Sequence, residues 1–473
     1  MRRHAALALG PCLFLLTLAV HAPGAMQVDA WRVAGLAAWM ACWWLTAVVP
    51  LEATALLPIV ILPLVGARPV AEVTRSYADP IIFLFLGGFF LAATTERWNL
   101  HKRFALATVR TVGTDAPRVV AAFMLASAVA SMWVSNTATT IMMLPIAMAV
   151  VGHPQKSGER GFQTALFLGI AYAASIGGVA TLIGTPPNAI FAGAARELLG
   201  EDVSFAGWMG VGLPISLVML AGCWLLLVKL FRVSGSVMGL TQLLQREEQD
   251  LGRLSGAERF VLTVLACTAV AWVMRAPKTI GGLRLPGLSD VVPGISDAAI
   301  AIAAALVLFV VPLRNSRHRV ALDWESASRV PWGILLLFGG GLALAGAFGS
   351  SGLTQWIGGR LIGLRGVPLP FVILTTATIF VFLTELTSNT ATAALGMPLM
   401  AGVAEGLGLP ALPLMATVAI ASSMAFMLPV ATPPNAIVYG SGWIRPAEMA
   451  RAGIGLNFLS IAITTIAVVL WTL

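Results

Sequence analysis

The pentapeptide Ser135-Asn136-Thr137-Ala138-Thr139 recurs residue for residue as Ser388-Asn389-Thr390-Ala391-Thr392. Each copy interrupts an apolar stretch near its middle, over 119–151 in the first case and 370–404 in the second. The apolar segment on either side of each polar tip is too short to cross a bilayer core of about 30 Å. The pattern therefore predicts two re-entrant helical hairpins, each of which enters and leaves the membrane on one side.

The composition of the chain places these hairpins in a membrane protein. Of the 473 residues, 58% are hydrophobic and 11% are charged, whereas soluble domains carry about 25% charged residues. This composition excludes a water-soluble enzyme and predicts an all-α polytopic membrane protein embedded in a lipid bilayer. Eleven further apolar runs are predicted to form helices, at 7–21, 34–49, 52–66, 81–96, 162–191, 207–231, 259–274, 296–313, 332–349, 411–440 and 452–472.

The polar residues give no sign of catalysis. The four cysteines and five histidines show no CxxC or HExxH spacing, the patterns that would indicate a redox or metal centre. The predicted spans also contain no recognisable nucleophile. We therefore expect no enzyme activity and no organic cofactor.

Loop charges predict the orientation of the chain, because cytoplasmic loops are enriched in lysine and arginine. With a cytoplasmic N-terminus and two re-entrant hairpins, 20 of the 29 Lys and Arg residues are cytoplasmic and the C-terminus is outside. The net charge of +8 is then a property of the loops and does not indicate nucleic-acid binding. The cytoplasmic set is Arg2, Arg3, Arg97, Lys102, Arg103, Arg110, Arg118, Lys156, Arg160, Lys229, Arg232, Arg246, Arg253, Arg259, Arg314, Arg317, Arg319, Arg329, Arg445 and Arg451.

Three motifs recur in the same order and define an internal repeat. Leu86-Gly87-Gly88 returns as Phe338-Gly339-Gly340, the SNTAT tip returns as described, and the sequence TPPNAI at 185–190 returns at 432–437. The predicted orientation inverts the second copy relative to the first, as in many membrane carriers. The predicted organisation is N-terminal scaffold helices (1–80), a first repeat with a cytoplasm-facing hairpin (81–231), a linker with scaffold helices (232–331) and a second repeat with an outside-facing hairpin (332–473).

The two tips and the two Thr-Pro-Pro-Asn stretches are polar breaks in apolar helices. Proline ends the preceding helix, so Pro186 and Pro433 should each begin a new half-helix. Irregular backbone survives in a membrane only where it is buried or lines a cavity. Exposed carbonyls at helix ends attract cations, and the amides at helix starts attract anions. Although such residues also serve as helix caps, four matched breaks in inverted pairs favour a binding site.

The paired SNT tips and paired TPPN breaks resemble the divalent anion:sodium symporter family of dicarboxylate, citrate and sulfate carriers. Residues 100–103 (LHKR) and 337–341 (LFGGG) are also similar to that family, and the resemblance covers residues 30–473. It implies a homodimer in which each protomer has a scaffold domain and a transport domain that moves in an elevator mechanism.

The resemblance also implies residue roles, assigned position by position. The first sodium site would comprise Ser131, Ser135, Asn136 and the carbonyl of Gly184; the second would comprise Thr384, Thr387, Asn389 and the carbonyl of Ala431. The substrate would be held by Asn136, Thr137, Asn389 and Thr390, and enclosed by Thr185, Pro186, Thr432 and Pro433. No Lys or Arg lies at either tip, so we expect helix dipoles and bound sodium ions to balance the charge of a dianion.

The preferred hypothesis is a secondary active transporter of the plasma membrane that takes up C4-dicarboxylates, such as succinate, malate or fumarate, with sodium. A sodium-independent exchanger of the same family retains both tips and stays open, as do citrate, tartrate and sulfate as substrates. A channel-like or metalloid-anion carrier and a membrane-embedded enzyme are more distant alternatives.

Three acidic residues in or near the predicted spans are candidates for a functional role. Glu385 lies three residues before the second tip serine, where an ionisable group is functional by default. We expect it to orient the tip, with proton coupling as the alternative. Glu96 and Asp297 lie at predicted span ends and are expected to be solvated.

Overall fold

Helices form nearly all of the secondary structure in the computed structural model, which describes residues 2–111, 113–152, 159–237, 239–280, 283–313 and 319–472. Three of the predicted cytoplasmic charges, Lys156, Arg314 and Arg317, lie outside these residues. The first half contains α1 (Arg2–Ala19), α2 (Val28–Thr46), α3 (Leu51–Thr54), α4 (Leu57–Leu64), α5 (Val70–Ser76), α6 (Pro80–Arg97), α7 (Leu100–Arg110), α8 (Ala116–Ser131), α9 (Asn136–Val151), α10 (Glu159–Val179), α11 (Pro186–Leu199) and α12 (Phe205–Leu230).

The second half begins with α13 (Leu240–Leu251), α14 (Gly256–Val273), the strands β1 (Lys278–Ile280) and β2 (Leu283–Leu285), α15 (Leu288–Val291) and α16 (Asp297–Val310). It continues with α17 (Trp324–Ala327), α18 (Trp332–Ser350), α19 (Leu353–Leu361), a 3-10 turn (Ile362–Leu364), α20 (Leu369–Thr384), α21 (Asn389–Leu407), α22 (Ala411–Ala421), α23 (Pro433–Gly440) and α24 (Pro446–Thr472).

Both SNT tips separate two helices, as the sequence predicts. Helix α8 ends at Ser131 and α9 begins at Asn136, while α20 ends at Thr384 and α21 begins at Asn389. Helices α8, α9 and α20 have 16 residues each, or about 24 Å at 1.5 Å per residue. That length is less than the hydrocarbon thickness. The re-entry of the two hairpins into the membrane remains a prediction.

The two proline motifs also break their helices where expected. The predicted run 162–191 divides into α10 and α11, and the run 411–440 divides into α22 and α23. Pro186 and Pro433 occupy the first position of α11 and α23, where the missing N–H of proline leaves no hydrogen bond unmade. The segments 180–185 and 422–432 are therefore non-helical chain between two half-helices.

The structure corrects three expectations from the sequence. The run 52–66 forms two short helices, α3 and α4, because Pro58 stands in the first turn of α4. An antiparallel pair of short strands, β1 and β2, interrupts the all-α pattern. Asp297 is buried rather than solvated: its carboxylate pairs with Arg275 (2.8 Å) and accepts a hydrogen bond from the amide of Phe205 (2.9 Å). Glu96 is exposed, as expected.

Six of the described helical segments are long and apolar enough to cross a membrane, judged by length and composition. They are Val70–Arg97, Arg160–Val179, Phe205–Leu230, Gly256–Val273, Trp332–Ser350 and Pro446–Thr472. Seven further apolar helices among the described residues are shorter, with 10–17 residues each, so the predicted total of about eleven spans stays a prediction.

Packing brings the breaks of the two halves together. Helix α8 of the first hairpin packs along α10, and α21 of the second packs against α22. Helix α11 lies against α18, α21 and α22, so it bridges the two halves. The glycine pairs of the repeat permit close helix packing: a Cβ at Gly87 would lie 2.5 Å from the side chain of Ala301 on α16.

Candidate substrate and cation sites

Four helix beginnings meet at one cavity of about 470 Å³. Helices α9, α11, α21 and α23 begin at Asn136, Pro186, Asn389 and Pro433, and all four residues line the cavity. Each helix start presents unpaired amides and a partial positive charge. All eight residues predicted to contact substrate line this cavity: Asn136, Thr137, Thr185, Pro186, Asn389, Thr390, Thr432 and Pro433.

Helices α2, α6 and α18 contribute an apolar wall to the cavity. It contains Leu45, Phe85, Phe89 and Ile334, together with Trp44, whose indole N–H donates to the carbonyl of Leu51 over 3.1 Å. None of the described residues that line the cavity is charged. An anion in this space therefore meets hydroxyls, amides and helix dipoles from the tips and breaks, and hydrocarbon from these three helices.

A cluster of oxygen atoms lies beneath the first tip. The hydroxyl of Ser131 is 2.5 Å from the side-chain oxygen of Asn136 and 2.6 Å from the carbonyl oxygen of Ala174. A serine hydroxyl has only one proton to donate. One of these two close oxygen–oxygen contacts therefore has no proton between its atoms in this arrangement.

In this orientation the side-chain oxygen of Asn136 faces other acceptors, and its nitrogen has no acceptor. Rotation of the amide satisfies the cluster, because its nitrogen then donates to Gly184 O (3.2 Å), Ser131 Oγ (2.5 Å) and Ala174 O (3.2 Å). The space at the end of Asn136 is thus surrounded by oxygens and accepts either an N–H group or a cation. Oxygen-rich surroundings suit a hard cation such as sodium, so the donor set fits the predicted first site.

An equivalent cluster lies beneath the second tip. The hydroxyl of Thr384 donates over 2.7 Å to the side-chain oxygen of Asn389 and lies 2.8 Å from the carbonyl oxygen of Ser422. Thr384 and Ser131 are both fully buried. The two halves therefore build the same hydroxyl–amide–carbonyl arrangement from corresponding residues.

Two of the predicted cation ligands have their hydroxyls engaged elsewhere. Ser135 caps α9 by accepting a hydrogen bond from the amide of Ala138 (3.2 Å). Thr387 donates to the carbonyl of Leu383 (3.0 Å), and its hydroxyl lies 2.5 Å from that of Thr392. Both residues line the cavity. A serine or threonine oxygen in such a role still has a lone pair for a further contact.

Two buried asparagines hold the proline breaks in shape. Asn188 donates from its amide nitrogen to the carbonyls of Gly178 (3.2 Å), Val179 (3.2 Å) and Thr181 (2.7 Å). Asn435 does the same to Ala425 (3.2 Å) and Leu428 (3.1 Å). Sequence reasoning assigned no role to either asparagine. Their position at the end of each Thr-Pro-Pro-Asn motif was the available signal.

Gly178 is a third residue whose role the sequence pattern did not indicate. A Cβ at this position would lie 2.7 Å from the Asn136 side-chain oxygen and 2.9 Å from Gly184 O. Such approaches require a glycine, because real Cβ atoms are essentially never that close to other atoms. Gly178 therefore allows the first break to close over the Asn136 cluster.

Glu385 fixes the second break from below the tip. One oxygen of its buried carboxylate accepts hydrogen bonds from the amides of Phe426 (2.7 Å) and Met427 (2.9 Å) and from Asn457 Nδ2 (2.8 Å). The other oxygen accepts from the amide of Leu428 (3.2 Å). The carboxylate thus accepts from four donors, three of which are backbone amides of the segment 422–432, so it orients that segment. The expected role of Glu385 in orienting the tip stays a prediction.

A second cavity, of about 680 Å³, adjoins the first. The two cavities share four wall residues, Phe89, Ser135, Thr137 and Ile334, and the second extends to Glu96, Arg97, Ser326 and Arg329. The second cavity therefore extends from the wall of the central cavity to the side of the molecule that carries Arg97.

An ion pair closes one edge of this opening. Arg97 contacts the carboxylate of Asp323 over 2.6 Å. A hydrogen bond from the backbone amide of Ser326, together with the Ser326 hydroxyl and the Arg97 guanidinium, lowers the pKa of Asp323 to about 2. The Asp323 carboxylate is therefore ionised at neutral pH and compensates the charge of Arg97 at the cavity mouth.

Broken helices whose ends meet around one uncharged cavity define a helical membrane carrier. Comparison with known proteins assigns the class: the family described as "Sodium:sulfate symporter transmembrane region" matches residues 2–473, and the chain belongs to this family.

The chain is also similar to curated transporters and to one solved fold. It is 40% identical to a sodium-dependent dicarboxylate transporter of Staphylococcus saprophyticus over 98% of this chain and 90% of the relative. It is 41% identical, with the same coverage, to the sodium-dependent dicarboxylate transporter of a Staphylococcus aureus strain. The crystal structure of the Alcanivorax borkumensis YdaH transporter shares the fold, with a TM-score of 0.53 and 13% identity over 85% of this chain and 87% of that chain. The family and these relatives are transporters, and the chain is a multi-pass membrane protein.

Proposed function

We propose that the protein takes up C4-dicarboxylates, such as succinate, malate or fumarate, together with sodium ions. The observation that carries this proposal is the convergence of four helix starts on one uncharged cavity, with an oxygen cluster beneath each tip. The 40–41% identical relatives are named for the same substrate class and the same ion. No cofactor other than the transported sodium takes part.

The substrate carboxylates bind between the two tips. Asn136 and Thr137 hold one end and Asn389 and Thr390 hold the other, with the starts of α11 and α23 beside them. Amide and hydroxyl donors at a helix start stabilise an anion. The apolar wall contacts the hydrocarbon between the two carboxylates, because hydrocarbon against hydrocarbon excludes water.

Sodium ions bind in the two oxygen clusters. The first site uses Ser131, Ser135, Asn136 and the carbonyl of Gly184; the second uses Thr384, Thr387, Asn389 and the carbonyl of Ala431. The crowded oxygens around Asn136 and Asn389 support this assignment. Each asparagine side chain then serves both a cation and the substrate, so the cations neutralise part of the dianion's charge and bind cooperatively with it.

Transport follows alternating access between two groups of helices. The moving group comprises the hairpins α8–α9 and α20–α21 with α10–α12 and α22–α24, and the scaffold comprises α1–α6, α14, α16 and α18. An elevator-type shift of one group against the other would present the cavity to either side. All polar residues of the cavity lining belong to the moving group, whereas the scaffold contributes only the apolar wall, which supports this division.

The proposed orientation has about eleven spans, a cytoplasmic N-terminus and an outside C-terminus. Ion pairs between distant segments of the chain support it. Pairs such as Arg97–Asp323, Lys102–Glu247 and Arg160–Glu448 join segments predicted to be cytoplasmic. Pairs such as Arg68–Glu197 and Arg196–Asp79 join segments predicted to be outside. Among the described residues, no ion pair joins one set to the other. We further propose a homodimer in the plasma membrane, as the family resemblance implies.

Uptake of radiolabelled succinate into proteoliposomes tests the proposal. We expect uptake into empty liposomes when sodium is outside and almost none when choline replaces it, with malate and fumarate as competitors. The Asn389→Ala variant is the binding-deficient control. Uptake that needs internal dicarboxylate and ignores sodium would identify an exchanger and refute sodium coupling. Stronger competition by citrate, tartrate or sulfate would refute the C4 preference.

A further inference from the structure

The last turn of α11 carries two adjacent, oppositely charged residues that pair with residues of the loops before α5 and α6. Arg196 contacts the carboxylate of Asp79 over 3.2 Å, and Glu197 contacts the guanidinium of Arg68 over 3.0 Å. Asp79 caps the start of α6 by accepting from the amide of Ile81 (2.8 Å). Arg196 and Glu197 carry opposite charges, and so do their partners Asp79 and Arg68. Both pairs can therefore form at the same time in only one position of α11 along the segment 68–79.

Both pairs are partly withdrawn from solvent. The side-chain exposures are 14% for Arg68, 16% for Asp79, 32% for Glu197 and 35% for Arg196. Partly buried pairs of this kind are screened less than exposed ones. Helix α18 is shaped to admit one of them, since a Cβ at Gly346 would collide with both Arg68 and Glu197.

Helix α11 connects these pairs directly to the candidate site. It begins at Pro186 in the central cavity and continues for 14 residues, about 20 Å at 1.5 Å per residue. Because an α-helix of this length moves as a unit, the position of its charged end and the position of the first break are coupled.

The second repeat lacks an equivalent of these charges. At the offset of 247 residues that relates the two proline motifs, the positions of Arg196 and Glu197 are occupied by Trp443 and Ile444. The pairs are therefore not a requirement of the fold. The two ion pairs also lie on segments predicted to be outside. The second cavity, in contrast, leads from the central cavity to Arg97, in a segment predicted to be cytoplasmic.

We infer that Asp79–Arg196 and Arg68–Glu197 form a conformational latch, which holds the cavity closed on their side while it is open on the Arg97 side. The latch must break before the cavity can open on the other side. This inference rests on the alternating access of the proposed function. The two access states would then differ in free energy, because Arg196 and Glu197 have no charged counterparts in the second repeat.

Site-directed labelling tests the latch without transport. Val430 lines the cavity and is 85% exposed, so Val430→Cys in a cysteine-free background reports which side reaches the cavity. A membrane-impermeant maleimide is applied to sealed vesicles of each orientation. With the latch intact, we expect labelling mainly from the side that carries Arg97.

The double variant Arg196→Gln/Glu197→Gln should raise labelling from the opposite side by about fivefold, on the scale of one partly buried ion pair. The exchanged pair Asp79→Arg/Arg196→Asp should return it toward the original value. If the double variant is poorly folded in size-exclusion chromatography, Arg196→Gln alone and the exchanged pair provide the same comparison. The matched control is Arg284→Gln, which removes an exposed local pair with Asp290.

Unchanged sidedness in the neutralised variants would refute the latch. Labelling needs neither sodium nor dicarboxylate, so its result is separate from the uptake assay. A switch in sidedness without sodium-coupled succinate uptake would support the latch and refute the proposed substrate or ion. Normal sodium-coupled succinate uptake with unchanged sidedness of labelling would support the proposed function and refute the latch.

Discussion

The hydroxyl of Thr384 donates over 2.7 Å to the side chain of Asn389, across the tip that separates α20 from α21. In the first repeat the hydroxyl oxygen of Ser131 likewise lies 2.5 Å from the side-chain amide of Asn136. The last residue of one helix thereby fixes the first residue of the next. The asparagine that faces the cavity is thus oriented from beneath by a hydroxyl group with no solvent exposure.

The first prediction concerns these hydroxyls. Thr384→Val keeps the shape of the side chain and removes its oxygen, so we expect the sodium concentration for half-maximal uptake to rise by about tenfold, the scale of one lost contact to an ion. Ser131→Ala should do the same at the first cluster. Thr384→Ser, which retains the hydroxyl, is the control. Equal sodium dependence of the valine and serine variants would remove Thr384 from the cation site.

The second prediction concerns the asparagines at the helix starts. Asn136→Ala and Asn389→Ala should each weaken the binding of both sodium and succinate by at least about tenfold, because each amide contacts both ligands. Binding of each ligand to the purified protein by calorimetry measures the two effects separately. A variant that loses affinity for succinate and keeps its sodium affinity would show that its asparagine contacts only the substrate.

The third prediction concerns Gly178. Gly178→Ala places a Cβ 2.7 Å from the Asn136 side-chain oxygen, so the first cluster must distort. We expect sodium-dependent uptake to fall by about a hundredfold while the protein remains folded, since one methyl group at a constrained site costs a few kcal/mol. Gly210→Ala in α12 is the control because its Cβ would meet open space. Similar uptake in both variants would contradict the close approach.

The fourth prediction distinguishes the two roles considered for Glu385. A glutamine at this position presents an N–H₂ group where the carboxylate accepts hydrogen bonds. Glu385→Gln should therefore lower the uptake rate by about tenfold and reduce thermal stability, without changing the pH profile. Glu405→Gln, at an exposed position of α21, is the control. A pH-dependent rate that becomes pH-independent in Glu385→Gln would instead indicate proton coupling.

The sequence predicts the breaks because they depend on local patterns. Proline cannot continue a helix, so Pro186 and Pro433 are predicted to begin half-helices, and the recurring polar tips place Asn136 and Asn389 between the two arms of each hairpin. In the structure all four residues begin helices and line one cavity. The roles of these residues in binding remain predictions.

Other features depend on contacts between distant parts of the chain. Gly178 is required only because Asn136 lies above it. Asp297 lies at a predicted span end, where solvation is expected, yet it meets Arg275 and the start of α12 in the folded chain. These contacts carry no short-range signal, so the sequence could not reveal them. The amide of Asn188, in contrast, reaches carbonyls only 7 to 10 residues earlier, and its place in the Thr-Pro-Pro-Asn motif was a local signal.

The uncharged lining of the central cavity has a consequence for the direction of flux. Without fixed positive charge, the wall offers a dianion only dipoles, and a dicarboxylate that arrives without sodium is held weakly. In a cytoplasm poor in sodium, accumulated dicarboxylate would seldom load for the outward journey. The carrier would then transport mainly inward and lose little of the dicarboxylate that it has accumulated.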